Sequence, residues 1–430
     1  MTSDTTYSSA PASGMRDLLP ADVALRDWAT SVILRTYERF GFTHIETPAM
    51  EHINLLRRGE GGENLQLIFE VLKRGEKLDE ELSSGTVKKD DLSDLGLRFD
   101  LTVPLVRFYA NNQGNLPTPL KAIQIGPVWR AERPQKGRYR QFTQCDIDVI
   151  GVKSEFAEME LIQATTSALV ELGFKGFTVR INDRRLLTEL AEFCEFSEDR
   201  FEAVFITLDK IDKIGLAGVQ KELHAISHSG EATDRLINIL QSIQGETDYL
   251  RIKSAMPATL PPEVYDGLKH VIDTSNQLSG GAYSVRLDPT LVRGMGYYTG
   301  QIFEISHPDS PHSIAGGGRY DKMVGKFSGR DIPACGFSIG FERIISILAE
   351  QGFKPPSETK KIALIYDADR DTMQDVAQAA AKLRADGSTV SLLPRKKDFR
   401  KQLDAVVAQD YGWYCAFRAD NLEVKQLGGK

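Results

Sequence analysis

The chain has 430 residues, of which 41% are hydrophobic and 26% charged, and its formal net charge is −7. This length allows two or three domains, each with its own core, and the composition is ordinary for a globular protein. The acidic balance excludes a bulk attraction to nucleic acid, so such a partner would have to bind local basic patches.

Cysteine spacing and hydrophobic runs exclude further classes. The cysteines lack a Cys-x-x-Cys pair, which argues against a structural zinc site and a disulfide framework and favours free cytosolic thiols. No apolar run reaches the roughly 18 residues of a membrane span. Residues 1–13 are polar and lack the apolar region of a signal peptide, so we expect a disordered tail and a cytoplasmic protein. The cysteines are Cys145, Cys194, Cys335 and Cys415.

The first predicted element is an amphipathic helix over residues 21–42 that Gly41 ends, followed by a strand over 43–50 that Pro48 interrupts. Such a pair suits a dimer-forming element, but the pattern alone favours a helix packed on its own domain. Its apolar face holds Val23, Trp28, Val32, Ile33, Tyr37 and Phe40.

Residues 51–96 are charged and glycine-rich, which predicts a loop-rich surface around one strand, LQLIFEVL. In the next segment Arg98, Asp100 and Thr102 alternate with apolar residues, which predicts a strand with its polar groups on one face. Those groups could line a pocket or face water.

Residues 126–151 read as two strands joined by a basic loop. Guanidinium groups can bind phosphate bidentately, but a solvated basic hairpin fits this stretch equally well. Only Glu132 opposes the loop cations, which are Arg130, Arg133, Lys136, Arg138 and Arg140.

A helix over 154–173 and a strand over 177–182 follow, and residues 183–262 are predicted to be a helical insertion of unknown role. Strands return over 282–340 with dense glycines, which mark bulges or places where a ligand approaches the backbone. Arg293, Arg319 and Arg343 each lie beside a glycine bend. They suit either an ordinary surface or, as we favour, a pocket for a phosphorylated ligand.

The C-terminal part begins with a linker over 351–360, after which strands and helices alternate β-α-β-α-β. This order predicts a small α/β domain with a parallel sheet. Its basic run over 395–401 is either a solvated helix start or a second contact to a phosphate backbone.

Several of these peptides resemble the motifs of class II aminoacyl-tRNA synthetases. FGFTHIETPAM is similar to the first motif, residues 126–151 to the second and GFSIGFERII to the third. GMRDLLP, LVRGMGYYTGQIFE and AGGGRYDKMVG resemble peptides of the histidyl-tRNA synthetase family, and the last two are particular to it. The chain therefore resembles this family over nearly its whole length.

The resemblance implies an α+β fold: a class II synthetase-type antiparallel sheet with flanking helices, a helical insertion and a C-terminal α/β anticodon-binding domain. In chain order, the implied parts are a tail (1–13), a catalytic domain (14–182 and 263–350), an insertion domain (183–262), a linker (351–360) and the anticodon-binding domain (361–430).

The implied function is histidine–tRNA ligation in two steps. Histidine attacks ATP to form histidyl-adenylate and pyrophosphate, and the 3′ end of histidine tRNA then accepts the histidine. Mg²⁺ would shield the β- and γ-phosphates without a protein metal cage, and a homodimer is expected. The alternative is a non-catalytic paralogue, the synthetase-like regulatory subunit of ATP phosphoribosyltransferase.

The resemblance also implies roles for particular residues. Arg130 and Arg293 are the implied catalytic residues at the α-phosphate. The implied ATP-binding residues are Arg130, Glu132 and Arg343. The implied histidine-binding residues are Asp100, Thr102, Gln144, Asp148, Arg293, Tyr297, Tyr298 and Tyr320. The implied tRNA-binding residues are Arg133, Gln135, Lys136 and Arg138.

Overall fold

The computed structural model describes residues 8–59, 66–83, 85–134, 138–226, 230–259, 262–293, 296–356, 359–418 and 421–427. Contacts divide the chain into two units, Met1–Phe353 and Lys354–Lys430. Within the described ranges, no helix is both long enough and apolar enough to cross a bilayer. All four cysteines are buried free thiols.

An eight-stranded sheet forms the centre of the first unit, in the order β1-β5-β6-β11-β10-β9-β7-β8. Its six inner strands are antiparallel, and the edge strands β1 and β8 pair in parallel. The predicted antiparallel class II sheet is thus confirmed. The strands are β1 Thr43–His44, β5 Leu120–Trp129, β6 Gln141–Ile150, β7 Phe177–Asp183, β8 Tyr283–Leu287, β9 Gln301–Ser306, β10 Ala315–Arg319 and β11 Ala334–Ile339.

The flanking helices bury apolar faces against this sheet. In the first helix Ala29, Ile33 and Tyr37 are fully buried, whereas Val23, which the sequence placed on the buried face, is 38% exposed. The left-handed Gly41 (φ +78°) follows the end of that helix. These helices are α1 Pro20–Arg39, α4 Thr102–Asn112, α5 Phe156–Glu171, α11 Pro262–Leu278, α12 Asp321–Ser328 and α13 Phe341–Glu350.

A three-stranded sheet with the order β2-β4-β3 occupies the segment that was predicted to be loop-rich. That prediction is wrong, because only part of LQLIFEVL is a strand and two helices flank the sheet. Gly96 leaves room there for Leu56 and Ile68, since an added Cβ would lie 2.9–3.0 Å from them. The elements are β2 Met50–His52, α2 Ile53–Gly59, β3 Glu70–Leu72, α3 Glu76–Ser83 and β4 Ser93–Leu97.

The predicted strand through Asp100 and Thr102 is also wrong, because β4 ends at Leu97 and α4 begins at Thr102. The N–H of Val103 donates to Asp100 Oδ1 at 3.1 Å, which satisfies a donor of the first helical turn. Pro104, lacking an N–H, is tolerated in this first turn. Asp100 and Thr102 are therefore brought together at the start of a helix and not along one face of a strand.

The segment predicted as an insertion is helical within the ranges described. Its α8 is kinked at Gly215, whose φ is +66°. Leu186, Leu208 and Leu236 belong to the same hydrophobic core as the large sheet. That this segment forms a separate insertion domain therefore stays a prediction. The helices are α6 Arg184–Phe193, α7 Phe201–Leu208, α8 Ile211–Ile226, α9 Gly230–Ser242 and α10 Tyr249–Ala255.

The second unit has its own core around Leu364, Ala380 and Cys415. Strand β12 lies between β13 and β14 and is parallel to both. A further antiparallel strand, β15, extends the predicted β-α-β-α-β order. The elements are β12 Lys361–Tyr366, α14 Met373–Ala385, β13 Thr389–Pro394, α15 Phe399–Ala408, β14 Trp413–Ala416 and β15 Val424–Gln426.

Candidate active site

A cavity of about 340 Å³ lies on the large sheet, where β5, β6, β10 and β11 are neighbours. It brings together residues that are far apart in the sequence. The predicted site residues that line it are Asp100, Thr102, Arg130, Glu132, Arg138, Gln144, Asp148, Arg293, Tyr297, Tyr298, Tyr320 and Arg343. Arg133 is exposed and is not part of its lining, and Gln135 and Lys136 lie outside the described residues.

The glycines of β10 let Arg293 lie flat on the sheet. A Cβ added at Gly316 would lie 2.6 Å from Arg293 Cζ, so a larger residue there would displace the guanidinium. Arg293 Nη1 donates to Glu304 at 2.9 Å. Burial disfavours the charge of Arg293, but Tyr298 and Glu304 outweigh it and raise its pKa. Arg293 is therefore held as a fixed cation in the cavity.

Arg130 follows the end of β5 and is held by backbone and aromatic groups. Its Nε donates to the Phe99 carbonyl at 3.0 Å. Its guanidinium lies 5.1 Å from the centre of the Phe142 ring, within reach of a cation–π interaction. These contacts place a second cation near Asp100, whose pKa it lowers.

Arg343 lies in the first turn of α13 and donates to the carbonyl and hydroxyl oxygens of Ser313. Its pKa is lowered by burial and then by the nearby charges of Arg138 and Arg293. Arg343, Arg138 and Arg293 thus bring positive charges together at the cavity, which suits a polyanion.

The opposite side of the cavity is acidic and buried. Burial raises the pKa of Asp100 to about 6, although the N–H of Val103 and Arg130 lower it. Burial also raises the pKa of Asp148 to about 7, and the pKa of Asp146 lies well above its usual value because of burial and Asp148. The buried oxygens without a hydrogen-bond partner here are Asp100 Oδ2, Gln144 Oε1, Asp146 Oδ1 and Asp148 Oδ2.

Tyrosines complete the acidic side. Tyr320 Oη donates to Asp148 Oδ1 at 2.5 Å, and the rings of Tyr297 and Tyr298 are 4.8 Å apart. Gly336 makes room for the Asp148 carboxylate, whose Cγ would be 3.0 Å from an added Cβ. Acceptor oxygens that lack partners, next to aromatic rings, suit a small cationic or N–H-rich ligand.

Arg319 does not join the other arginines, so the prediction that it belongs to a phosphate pocket is wrong. Its guanidinium donates to both carboxylate oxygens of Glu158 on α5, at 2.5 and 2.6 Å. Side chains alternate along a strand, so Arg319 lies on the face opposite that of Gly316 and Gly318. It is a structural ion pair beneath the sheet.

Sequence reasoning missed three carboxylates. Asp146 follows the same alternation along β6 as Gln144 and Asp148, so the pattern could have identified it. Glu342 accepts two bonds from Arg26 at 2.8 Å, and the N–H of Thr143 donates to it at 3.1 Å. Glu304 pairs with Arg293. The last two depend on contacts between distant segments, which leave no local signal.

Comparisons with known proteins agree with one another. A family model described as histidyl-tRNA synthetase matches residues 14–344. A histidine–tRNA ligase of Leifsonia xyli is 43% identical over 97% of this chain and 98% of its own length. A probable histidine–tRNA ligase of Tropheryma whipplei is 44% identical over 83% of this chain and 84% of its own.

Solved structures give the same comparison for the fold. A histidyl-tRNA synthetase from Nostoc sp. PCC 7120 superposes with a TM-score of 0.78 at 27% identity, covering 98% of this chain and 95% of that chain. A Bacillus halodurans protein described as an ATP phosphoribosyltransferase regulatory subunit/histidyl-tRNA synthetase has a TM-score of 0.75. It is 22% identical and covers 95% of this chain and 97% of that chain, so it supports the fold alone.

Proposed function

The chain belongs to the histidyl-tRNA synthetase family, and from that premise we propose which of its residues carry each step. It is an ATP-dependent ligase that activates histidine and joins it to histidine tRNA. The observation that carries the assignment of residues is one cavity in which several arginines face buried carboxylate oxygens that lack hydrogen-bond partners. One side suits ATP and the other suits histidine.

Adenylate formation needs cations fixed in advance around the α-phosphate, because negative charge develops on the phosphorus in the transition state. Arg130 and Arg293 supply these cations. Arg343 binds the γ-phosphate end of ATP from the start of α13. The supporting contacts are the bonds from Arg130 to Phe99, from Arg293 to Glu304 and from Arg343 to Ser313, which orient each guanidinium before ATP arrives.

Histidine binds on the acidic side of the cavity. Its ammonium and ring N–H groups satisfy oxygens of Asp100, Gln144 and Asp148 that otherwise lack partners. Thr102, Tyr297 and Tyr298 line the same pocket, and Tyr320 orients Asp148 through its hydroxyl. A ligand without these N–H groups leaves buried acceptors unpaired, which is a strong basis for selectivity.

If Mg²⁺ enters with ATP, it would supply positive charge to the phosphates. Phosphate oxygens are hard ligands of the kind that Mg²⁺ prefers, and Glu132 offers a carboxylate in the same cavity. Glu132 itself lies 3.5 Å from Arg138.

The tRNA contacts are proposed in two places. The loop with Arg133, Gln135, Lys136 and Arg138 meets the acceptor stem, and Arg138 also lines the cavity. The second unit reads the anticodon, with its basic run leading into α15. A homodimer forms through the start of α1, where Leu18, Leu19 and Val23 are exposed by 36%, 69% and 38%.

The deciding experiment is histidine-dependent exchange of pyrophosphate into ATP. We expect exchange by the intact protein, and we expect Arg293→Ala to remove most of it, about 10²-fold or more, while histidine still binds. Arg35→Ala, an exposed residue of α1, is the matched control and should retain full exchange. No exchange by the intact protein would overturn the proposed function.

A further inference from the structure

Glu304 lies outside the lining of the cavity but holds its central arginine. It belongs to β9, and its Oε2 accepts from Arg293 Nη1 at 2.9 Å. The Glu304 side chain is only 19% exposed. A charge-assisted bond that is shielded from water orients its partner more firmly than a surface pair does.

The same carboxylate faces a second arginine. Glu304 stands opposite Arg180 of β7 in the strand register, and its Oε1 lies 3.7 Å from Arg180 Nη1. One oxygen thus faces each arginine. The carboxylate plane is therefore constrained from both sides, and so is the direction in which it presents its acceptor to Arg293.

Arg180 is in turn anchored to another strand end and to a helix. Its Nε donates to Asp288 at 2.7 Å and its Nη1 donates to Asp212 of α8 at 2.8 Å. Burial disfavours its charge, but Asp288 and Asp212 raise its pKa above the usual value. A chain of alternating charges therefore runs from Arg293 through Glu304 and Arg180 to α8.

Arg293 also has a neighbouring cation, Arg343, that repels it. The pKa of Arg343 is lowered by burial and then by the charges of Arg138 and Arg293. The glycine surface at Gly316 offers space to the guanidinium but no side-chain group to bind it. An arginine under this repulsion turns away from the other cations unless a carboxylate holds it in place.

We propose that Glu304 is a positioning residue for adenylate formation, which holds Arg293 toward the α-phosphate while Arg180 and Asp212 tie that orientation to α8. This proposal rests on the proposed role of Arg293. It gives the helical segment a part in the first reaction step. It also explains why an acidic residue is buried beside a site that must attract a polyanion.

The test replaces the charge and keeps the shape. In the full chain, Glu304→Gln should lower kcat of pyrophosphate exchange about 10²-fold with the KM for histidine changed less than about threefold, since misorienting a catalytic group affects the transition state more than binding. Glu304→Asp should recover part of the loss. Asp212→Asn should lower kcat in the same direction by about threefold. Glu171→Gln, which breaks the exposed pair with Arg39, is the matched control.

Thermal unfolding of each variant separates this role from a structural one. Unchanged kcat per folded molecule in Glu304→Gln would overturn the proposal, and so would a loss confined to the KM for histidine. If Glu304→Gln does not fold, Asp212→Asn decides, because its side chain is 68% exposed. Exchange by the wild-type protein with unaffected variants refutes this inference alone, whereas no exchange by the wild type refutes the proposed function.

Discussion

At the scale of single residues, the cavity holds carboxylates that are costly to ionise. The pKa of Asp148 is raised to about 7 by burial, although Tyr320 lowers it. A carboxyl whose pKa rises on folding stabilises the fold most below its unfolded pKa, and that contribution is lost as the pH rises through the folded value. Above pH 7 Asp148 therefore carries a buried negative charge, which a bound cation would stabilise.

We therefore expect histidine affinity to fall as the pH falls from 8 to 6. Protonation of Asp148 removes the negative charge that complements the ligand and weakens its carboxyl as a hydrogen-bond acceptor. Asp148→Asn should weaken binding at pH 8 by about 10- to 100-fold, the value of a hydrogen bond to a charged group. Calorimetric titration across pH measures both. Since the imidazole of histidine titrates in either protein, only a flatter profile in the variant supports Asp148, and parallel profiles would contradict it.

At the scale of elements, the hairpin of β5 and β6 is connected to α1 and α13 by one buried carboxylate. Glu342 accepts from Arg26 of α1, from Arg16 and from the N–H of Thr143. Burial disfavours its charge, but Arg26 and the other donors lower its pKa. The next residue is Arg343, so this contact sets where α13 presents its guanidinium.

Replacing Arg26 by Gln should therefore raise the KM for ATP about tenfold and leave the KM for histidine nearly unchanged. The free energy of unfolding of the variant should also fall, because Glu342 loses a charged donor. The loss should be limited to about 1–3 kcal/mol, because Glu342 keeps Arg16 and Thr143 as partners. Steady-state exchange and denaturant titration measure the two effects. Arg35→Gln on the same helix is exposed and should change neither, and an unaltered KM for ATP in Arg26→Gln would contradict the link.

Sequence patterns predicted β5 and β6 well because apolar residues recur along both strands and alternate with polar ones from Cys145 onward in β6. They failed at Asp100, where an apparent alternation crosses the end of a strand and the start of a helix. Arg319 failed for a different reason. Its glycine neighbours looked the same in the sequence as those of Arg293, and only the buried Glu158 of α5 decides its direction. Contacts between distant segments settle these cases.

At the scale of the whole molecule, the residues of the cavity all belong to the first unit. The second unit has two small cores of its own, one on each side of β12, with Leu364 in one and Ile365 in the other. The proposed site for histidine and ATP therefore lies within the first unit, and the proposed anticodon contact lies in the second.

Removing residues 354–430 should leave histidine-dependent exchange within about threefold of the full chain, since unit-internal contacts are nearly additive. Attachment of histidine to tRNA should fall by at least about tenfold, because a large part of the tRNA contact surface is lost. Both reactions can be measured on one preparation, so that exchange serves as the control for folding. Loss of exchange in the shortened chain would contradict the assignment of adenylate formation to the first unit alone.

The run of glycines in β10 has a consequence for how this enzyme can change. A side chain would meet the backbone of β11 at Gly317 and the backbone of Gln301 at Gly318, and at Gly316 it would displace the guanidinium of Arg293. Substitution at any of these glycines therefore disturbs either the sheet or Arg293. A variant that accepts a histidine analogue would therefore need substitutions elsewhere in the cavity, among the polar residues of β6 and the tyrosines.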